Sequence, residues 1–446
     1  MNEFNPGMDK HESGTKGPAN RTSRLAHVAS LASGLVGGMM AEGIRQVSQG
    51  NRPAMSDLLL TPKNAKRVAD HLIQLRGAAM KVGQLISMDS GDLLPAEFSQ
   101  ILSTLRDDAK PMPFGDLAQV LHREWGDDWE NRFSEFSFSP ISAASIGQVH
   151  KARTTNGPLM AIKVQYPNIG KSIDSDVDNI GTLFRISGLL PKDFQLDYLL
   201  EDVKLQLKNE ADYIKEAHWL KEYKKLLKDE NDFSVPDVYD DLTTHHILAM
   251  SYETGQKIEL LANESQETRD WIGTRLIELI FREIFEFQLI QTDPNFANFL
   301  YDHQARQIIL LDFGATRKYP DQIAHAYQAL MTAGMNNQTA QMNEAATTIG
   351  FFQEYITPEQ RTRLLNLFSL ACEPIRQDGQ YDFGSSSLAE KISQAGMEMS
   401  FKNNYWHTPP VDAIFLHRKL AGVYLIAARL KSRVNVKKLF EPYVYA

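Results

Sequence analysis

The chain has 446 residues, 43% of them hydrophobic, which suits two or three structural units with well-filled cores. Its formal net charge of -9 speaks against a nucleic-acid binder, which would present a basic surface. The single cysteine, Cys372, excludes an internal disulfide framework and a cysteine-ligated metal cluster, and fits a reducing compartment.

Residues 1–23 are polar, rich in Gly, Asn, Ser and Thr, and read as disordered. Glu3, Asp9 and Glu12 set them apart from an acid-poor transit peptide. In residues 24–50 small side chains recur every four positions, at Ala26, Ser30, Gly34 and Gly38 and again at Ala29, Ser33, Gly37 and Ala41. On a helix such rows let two backbones approach closely, as in membrane helices or a homodimer. His27 and Glu42 bracket an apolar span too short to cross a bilayer, so the segment reads as a helix lying on or dipping into a membrane. No purely apolar run of spanning length follows residue 50.

Residues 51–125 read as a helical extension. Val68, Leu72, Leu75, Ala79, Val82 and Ile86 step along one helix face. Within it, Lys81-Val82-Gly83-Gln84 places a glycine mid-helix, at a cost of about 1 kcal/mol relative to Ala, which suggests close packing or contact. The Pro111-Met112-Pro113 stretch ends the periodic run.

From about residue 126 to 255 the pattern is rich in strands. Ile141 to His150 carries Ala143, Ala144, Ser145 and Gly147, a loop stiffer than one with three glycines. Its backbone N–H groups and the Ser145 hydroxyl suit a phosphate cradle. Asn156-Gly157 signals a hairpin turn, and the return strand ends in Ala161-Ile162-Lys163. That ending is a strand-lysine signature of phosphate-contacting lysines in kinase-like folds. Residues 197–227 read as one long charged helix bearing Glu210, Asp212 and Glu216, with Asp212 and Glu216 on one face. Glu216 is the candidate partner of Lys163. Ser234–Tyr239 and His245–Met250 read as strands, leading through Met250, Ser251, Tyr252 and Glu253 into a connector placed like an adenine-binding hinge. His245 and His246 are adjacent on a strand and so point to opposite faces, which argues against a shared metal.

Residues 256–446 read as mainly helical. Ile272, Leu276, Leu279, Ile280, Ile284 and Phe287 form an apolar helix face that runs into Gln291-Thr292-Asp293-Pro294-Asn295. A hairpin follows, with Phe299–Tyr301 and Gln307–Leu311 as strands, and then Asp312-Phe313-Gly314. The hairpin would bring Asn298 and Asp312 to one hard cation, Mg²⁺, while Asp293 orients a hydroxyl or water. After Gly314 the pattern is helical to the end, and the apolar face of Pro410–Arg433 reads as core.

Taken together, these motifs resemble the UbiB/ADCK, or AarF-type, family of atypical kinases over nearly the whole chain. Lys81-x-Gly83-Gln84 resembles the family's signature extension, Ala143 to Val149 its alanine-rich loop, and Glu210-x-Asp212 its acidic motif. Glu216 stands where the family has its salt-bridge glutamate. Gln291-Thr292-Asp293-Pro294-Asn295 looks like the form found in the coenzyme Q branch. Leu416-His417-Arg418-Lys419-Leu420 completes the resemblance. It implies an α+β, protein-kinase-like, two-lobed fold with a helical N-terminal extension lying over the acceptor site. It also implies ATP binding with Mg²⁺, slow ATPase activity stimulated by lipid, and support of ubiquinone biosynthesis at a membrane. Lys81 and Gln84 would then project toward the nucleotide. The implied partners are ATP or ADP, a membrane or quinone-precursor lipid and quinone biosynthesis proteins. The expected location is the cytoplasmic face of a bacterial inner membrane, with the matrix face of the mitochondrial inner membrane as the alternative. Two rival readings are a kinase of a protein or small molecule, and a nucleotide-gated, lipid-binding scaffold.

Overall fold

The computed structural model describes residues 111–444, except 156, 188–195, 353–355 and 398–409, together with residues 78, 79, 81 and 82. The expected disordered N-terminus, the small-residue helix, Gln84 and most of the helical extension lie outside the described residues.

Helix α1 (Phe114–Trp125) precedes an antiparallel sheet built from β1 (Phe133–Phe136), β2 (Ser142–Ala143), β3 (Gly147–Thr154), β4 (Leu159–Gln165) and β6 (Ile247–Ser251), with β5 (Phe233–Ser234) belonging to another sheet. The order is β1-β3-β4-β6, with β2 also pairing with β3. Period-2 alternation decides what each face of β4 does. Met160, Ile162 and Val164 pack with Leu117, Val120, Leu121 and Trp125 of α1, closing the outer face. Trp125 Nε1 donates to the Leu242 carbonyl at 2.9 Å, so its buried polar edge is satisfied. Ala161 packs into the main core, and Lys163 shares its face.

Beyond β4 come α2 (Ile169–Ser187), α3 (Leu196–Glu210) and α4 (Tyr213–Leu226). The single long helix expected over 197–227 is therefore two helices. Asp212 is the reason: it leaves the helical conformation and its side chain accepts from the Lys215 N–H, capping α4. Asp212 and Glu216 thus do not share one continuous helix face. The strand expected over Ser234–Tyr239 shrinks to β5, since Pro236 has no N–H for a ladder.

After β7 (Gln256–Lys257), helix α5 (Gln266–Arg282) begins at a Ser265 cap. It does not run straight into the Asp293 loop as expected. A π-helical turn at Glu283–Phe287 and a left-handed Gln288 (φ 50°) stop it, and strand β8 (Leu289–Gln291) follows. The expected hairpin is present as β9 (Phe299–Asp302) and β10 (Gln307–Leu310), with Leu310 opposite Phe299. Strand β11 (Thr316–Lys318) pairs with β8, so the chain after Gly314 is not purely helical.

Helices α6 (Asp321–Met335), α7 (Thr339–Ile349), α8 (Pro358–Ala371) and α9 (Glu373–Arg376), strand β12 (Tyr381–Asp382), and helices α10 (Leu388–Met397) and α11 (Val411–Arg429) complete the larger part with β13 (Arg433–Val434) and α12 (Val436–Phe440). Helix α11 ends before the expected Arg433, where the chain turns to pair β13 with β12. One buried cluster joins these helices to the inner face of the sheet through Ala161, Leu248 and Met250. No helix among the described residues is long and apolar enough to cross a membrane.

His417 of α11 lies flat on Phe351, with ring centroids 5.3 Å apart, and its Nε2 is 3.1 Å from the Tyr327 hydroxyl. Burial depresses its pKa to about 4, below the ordinary value of about 6.5 in the unfolded chain. The unfolded chain therefore binds the proton first, so stability is lost as pH falls from about 6.5 toward 4. Chemical unfolding at a series of pH values should show this limb, and His417→Phe should flatten it. An unchanged slope in the variant would assign the limb to other groups.

Candidate nucleotide and phosphoryl-transfer site

The site begins with Lys163, which the inner face of β4 carries into a buried position. Its Nζ lies 2.8 Å from Glu216 Oε1, 3.0 Å from Glu216 Oε2 and 3.1 Å from Asp312 Oδ2. Glu216 stands in the first turn of α4, where the Asp212 cap starts the helix and aims that turn at β4. Burial alone would lower the Lys163 pKa, but Asp312 and Glu216 outweigh it and raise it. Burial pushes the Glu216 carboxyl up to about 7 against the pull of Lys163. Asp312 is half-buried, which opposes its charge, yet Lys163 and the Gly314 N–H hold its pKa below the usual carboxylate value.

The second half of the site comes from the β9–β10 hairpin. The Leu311 N–H donates to the Asn298 carbonyl at 3.0 Å, which closes the hairpin and sets Asn298 beside Asp312. Asn298 Nδ2 donates to the Asp293 carbonyl at 3.3 Å, so the opposite oxygen of its carboxamide is left for other donors or a cation. Gln291 Nε2 donates to two carbonyls, Asp293 O at 2.9 Å and Asp312 O at 3.1 Å. The Thr292 hydroxyl donates to Ala315 O at 2.6 Å. The loop of Asp293 and the loop of Asp312 are thereby cross-tied.

One carboxylate and one carboxamide oxygen suit Mg²⁺, which keeps several waters and takes its other ligands from phosphate oxygens. Among the described residues, no group of three His, Cys, Asp or Glu forms a self-sufficient metal cage. The donor set therefore fits a cation that arrives with a nucleotide.

The alanine-rich loop departs from a simple phosphate cradle in two ways. The Ser145 hydroxyl donates to Glu210 Oε2 at 2.5 Å and so is already engaged. Gly147 is not in the loop but opens β3, where an added Cβ would lie 2.3 Å from the Val164 carbonyl oxygen. Close strand packing requires this glycine. Ala143 ends β2, and the Ala144 N–H donates to the Gly147 carbonyl at 2.9 Å.

Lys81, at the end of the described piece of extension, is 2.5 Å from Glu210 Oε1 and 3.7 Å from Asp293 Oδ2. It is 2% exposed, and although burial opposes it, Asp293 and Glu210 raise its pKa. Glu210 thus belongs to the site, whereas Asp212 serves as a helix cap nearby. At the connector, the Ser251 and Tyr252 N–H groups donate to the Asp237 and Leu159 carbonyls at 2.8 and 3.0 Å. Ser251 Oγ donates to Glu253 at 2.6 Å. Met250 pairs with Ala161 within the sheet, so a base edge would have to use other backbone groups of this connector.

Lys419, Glu283 and Tyr223 were not anticipated as part of this neighbourhood. Lys419 is buried, 3.2 Å from Glu283 Oε2 and 3.1 Å from Gln291 Oε1. The Tyr223 hydroxyl lies 2.8 Å from both Glu283 Oε1 and the Leu289 carbonyl oxygen, which share its one proton. A signal was available: Lys419 sits between Leu416 and Val423 on the apolar face of α11, where a cation needs a buried partner.

Comparison with known proteins gives a consistent answer. Residues 104–346 match the model of the ABC1 atypical kinase-like domain. The chain is 36% identical to the mitochondrial atypical kinase COQ8 of Saccharomyces cerevisiae, over 95% of this chain and 85% of that protein. It is 34% identical to the mitochondrial atypical kinase COQ8B of Rattus norvegicus, over 96% of this chain and 81% of that one. Among solved structures, Rv3197 of Mycobacterium tuberculosis in complex with erythromycin matches with a TM-score of 0.57 at 24% identity, covering 86% of this chain and 96% of the other, and supports the fold alone. With an α+β, kinase-like fold and relatives of this kind over nearly its full length, the chain belongs to the ABC1 atypical kinase-like family and is an atypical kinase.

Proposed function

We propose that the protein uses ATP with Mg²⁺ in slow phosphoryl transfer, chiefly to water, in support of coenzyme Q biosynthesis at a membrane surface. The observation that carries the chemistry is Lys163 held at 2.8 Å from Glu216 and 3.1 Å from Asp312. Lys163 would meet nucleotide phosphate oxygens while Glu216 keeps its ammonium aimed. Asp312 and Asn298 would hold Mg²⁺, which spreads the phosphate charge over a second cation. Asp293 would orient the nucleophile and accept its proton as its oxygen bonds to the γ-phosphorus and the bond from that phosphorus to the bridging oxygen breaks, releasing ADP.

Lys81 favours water over a large acceptor. Its ammonium lies 3.7 Å from Oδ2 of Asp293, the carboxylate that a substrate hydroxyl would have to reach. A protein segment would have to displace a buried, paired lysine, whereas water needs no such displacement. The role in coenzyme Q biosynthesis rests on the relatives called COQ8 and COQ8B. Quinone biosynthesis proteins and a quinone-like lipid are the partners this reading requires. The mitochondrial location in those names supports the mitochondrial alternative over the bacterial one.

Phosphate release from ATP with Mg²⁺ tests the chemistry directly. Asp312→Asn should lower it by about 100-fold or more, the scale for losing one electrostatic contact in a transition state. Equal release by the variant would remove Asp312 from the metal site. Liposomes carrying a quinone-headgroup mimic should raise release by the wild-type protein. A flat response across lipid concentrations would separate the activity from membranes.

A further inference from the structure

Helix α11 lies against the whole catalytic loop. Lys419 reaches Gln291 at 3.1 Å. One turn on, the backbone at Gly422 approaches Pro294 so closely that an added Cβ would lie 2.1 Å from the Pro294 Cβ. Arg429 stacks over Phe296 at 5.4 Å, and Lys419 Nζ lies 5.8 Å from the centre of the Phe299 ring. Residues 419, 422 and 429 fall on one helical face, so a single helix backs the loop from Gln291 to Phe299.

The decisive atom group is the Gln291 carboxamide. A carboxamide has two N–H donors and one carbonyl oxygen. Both donors are spent on the carbonyls of Asp293 and Asp312, at 2.9 and 3.1 Å. The oxygen then faces Lys419. The flipped carboxamide would set its oxygen against two carbonyl oxygens and its NH₂ against an ammonium, three repulsive contacts in place of three attractive ones. A buried cation at Lys419 therefore selects one sense of the amide. Glu283 stabilises that cation at 3.2 Å and also accepts from the Gln291 backbone N–H at 3.4 Å. Lys419 is 2% exposed and Glu283 1%, so water cannot replace either partner.

We propose that Lys419 is a positioning residue for phosphoryl transfer: it locks the Gln291 carboxamide and so fixes the spacing between the Asp293 loop and the Asp312 loop. The assignment rests on the nucleotide-site reading above. Lys419 engages Gln291 and Glu283. Its effect passes through Gln291 to the carboxylate that orients the nucleophile and to the one that holds the metal.

Two variants test it. Lys419→Met with Glu283→Gln removes both buried charges together, since removing one alone would strand the other. Gln291→Met keeps the Lys419–Glu283 pair and the side-chain volume but loses both donors. Circular dichroism confirms that each is folded. Both should lose about 30- to 100-fold in kcat, the scale for misplacing reacting groups by about 1 Å. By calorimetry, ADP affinity without metal should stay within about twofold of wild type, while the gain in affinity on adding Mg²⁺ should shrink by about tenfold, a size set by the same misplacement. Lys419→Arg, which keeps a cation, should recover part of both. A wild-type protein whose ADP affinity ignores Mg²⁺ would overturn the nucleotide-site reading and this one with it. A wild-type response to Mg²⁺ that folded variants retain, with unchanged kcat, would overturn the role of Lys419 alone.

Discussion

A buried ammonium with two carboxylates is the constraint around which the site closes. Lys163 comes from β4, Glu216 from α4 and Asp312 from the loop after β10, segments far apart in sequence. Lys163 and Glu216 are each costly to bury alone, and removing one partner of such a pair typically costs about 3–5 kcal/mol. The three segments must therefore arrive together. The alternation of β4 ensures this on one side, because Ile162 and Val164 anchor the strand in the outer core and leave Lys163 on the inner face. The Asp212 cap ensures it on another, because it starts α4 where Glu216 falls in the first turn.

What could be read from the sequence was mostly what short-range spacing controls. The β9–β10 hairpin follows from apolar runs on either side of Asp302 to Arg306, and its closure places Asn298 beside Asp312 without any long-range information. The Ala161-Ile162-Lys163 ending and Glu216 could be matched as a pair because the chemistry demands a carboxylate for a buried lysine. The misreadings share a different cause. Asp212 interrupts a run that reads as one long charged helix, and Gln288 ends an apolar helix face that reads as running on into the Asp293 loop; a local cap or left-handed residue outweighs the pattern. Gly147 reads from the sequence as part of the loop, yet it is required by the approach of Val164 across the ladder. Lys419 lies in a face that reads as core; its place there calls for a buried partner, but nothing local says that the partner is Glu283, which is far away in sequence.

The placement of Ser145 changes how the alanine-rich loop should be understood. A loop with small side chains could have left its hydroxyl free for phosphate, but Ser145 donates to Glu210, and Glu210 in turn pairs with Lys81. The loop, the acidic end of α3 and the N-terminal extension are therefore one polar chain. Charge or position at any of the three is felt by the others, and Asp293 lies at its end. A nucleotide phosphate entering near Ser145 would compete for the same donors. The stiffness of Ala143 and Ala144 would then work together with Glu210 to restrict how phosphates could sit.

The site as a whole repeats one device three times. Lys81 pairs with Glu210 and reaches the Asp293 side chain. Lys163 pairs with Glu216 and reaches Asp312. Lys419 pairs with Glu283 and reaches Gln291. In each case a buried lysine is neutralised by a glutamate from a helix or its end, and the same ammonium holds a residue of the candidate site. The glutamate makes the buried cation tolerable, and the third contact turns it into a ruler. Three such rulers enter from the extension, the sheet and the last long helix. Gln291, Asp293 and Asp312 are thereby fixed from three directions, which a single salt bridge on a mobile loop could not achieve. Positional accuracy of this kind is what a reaction that relies on alignment and charge, with no covalent step on the protein, requires most.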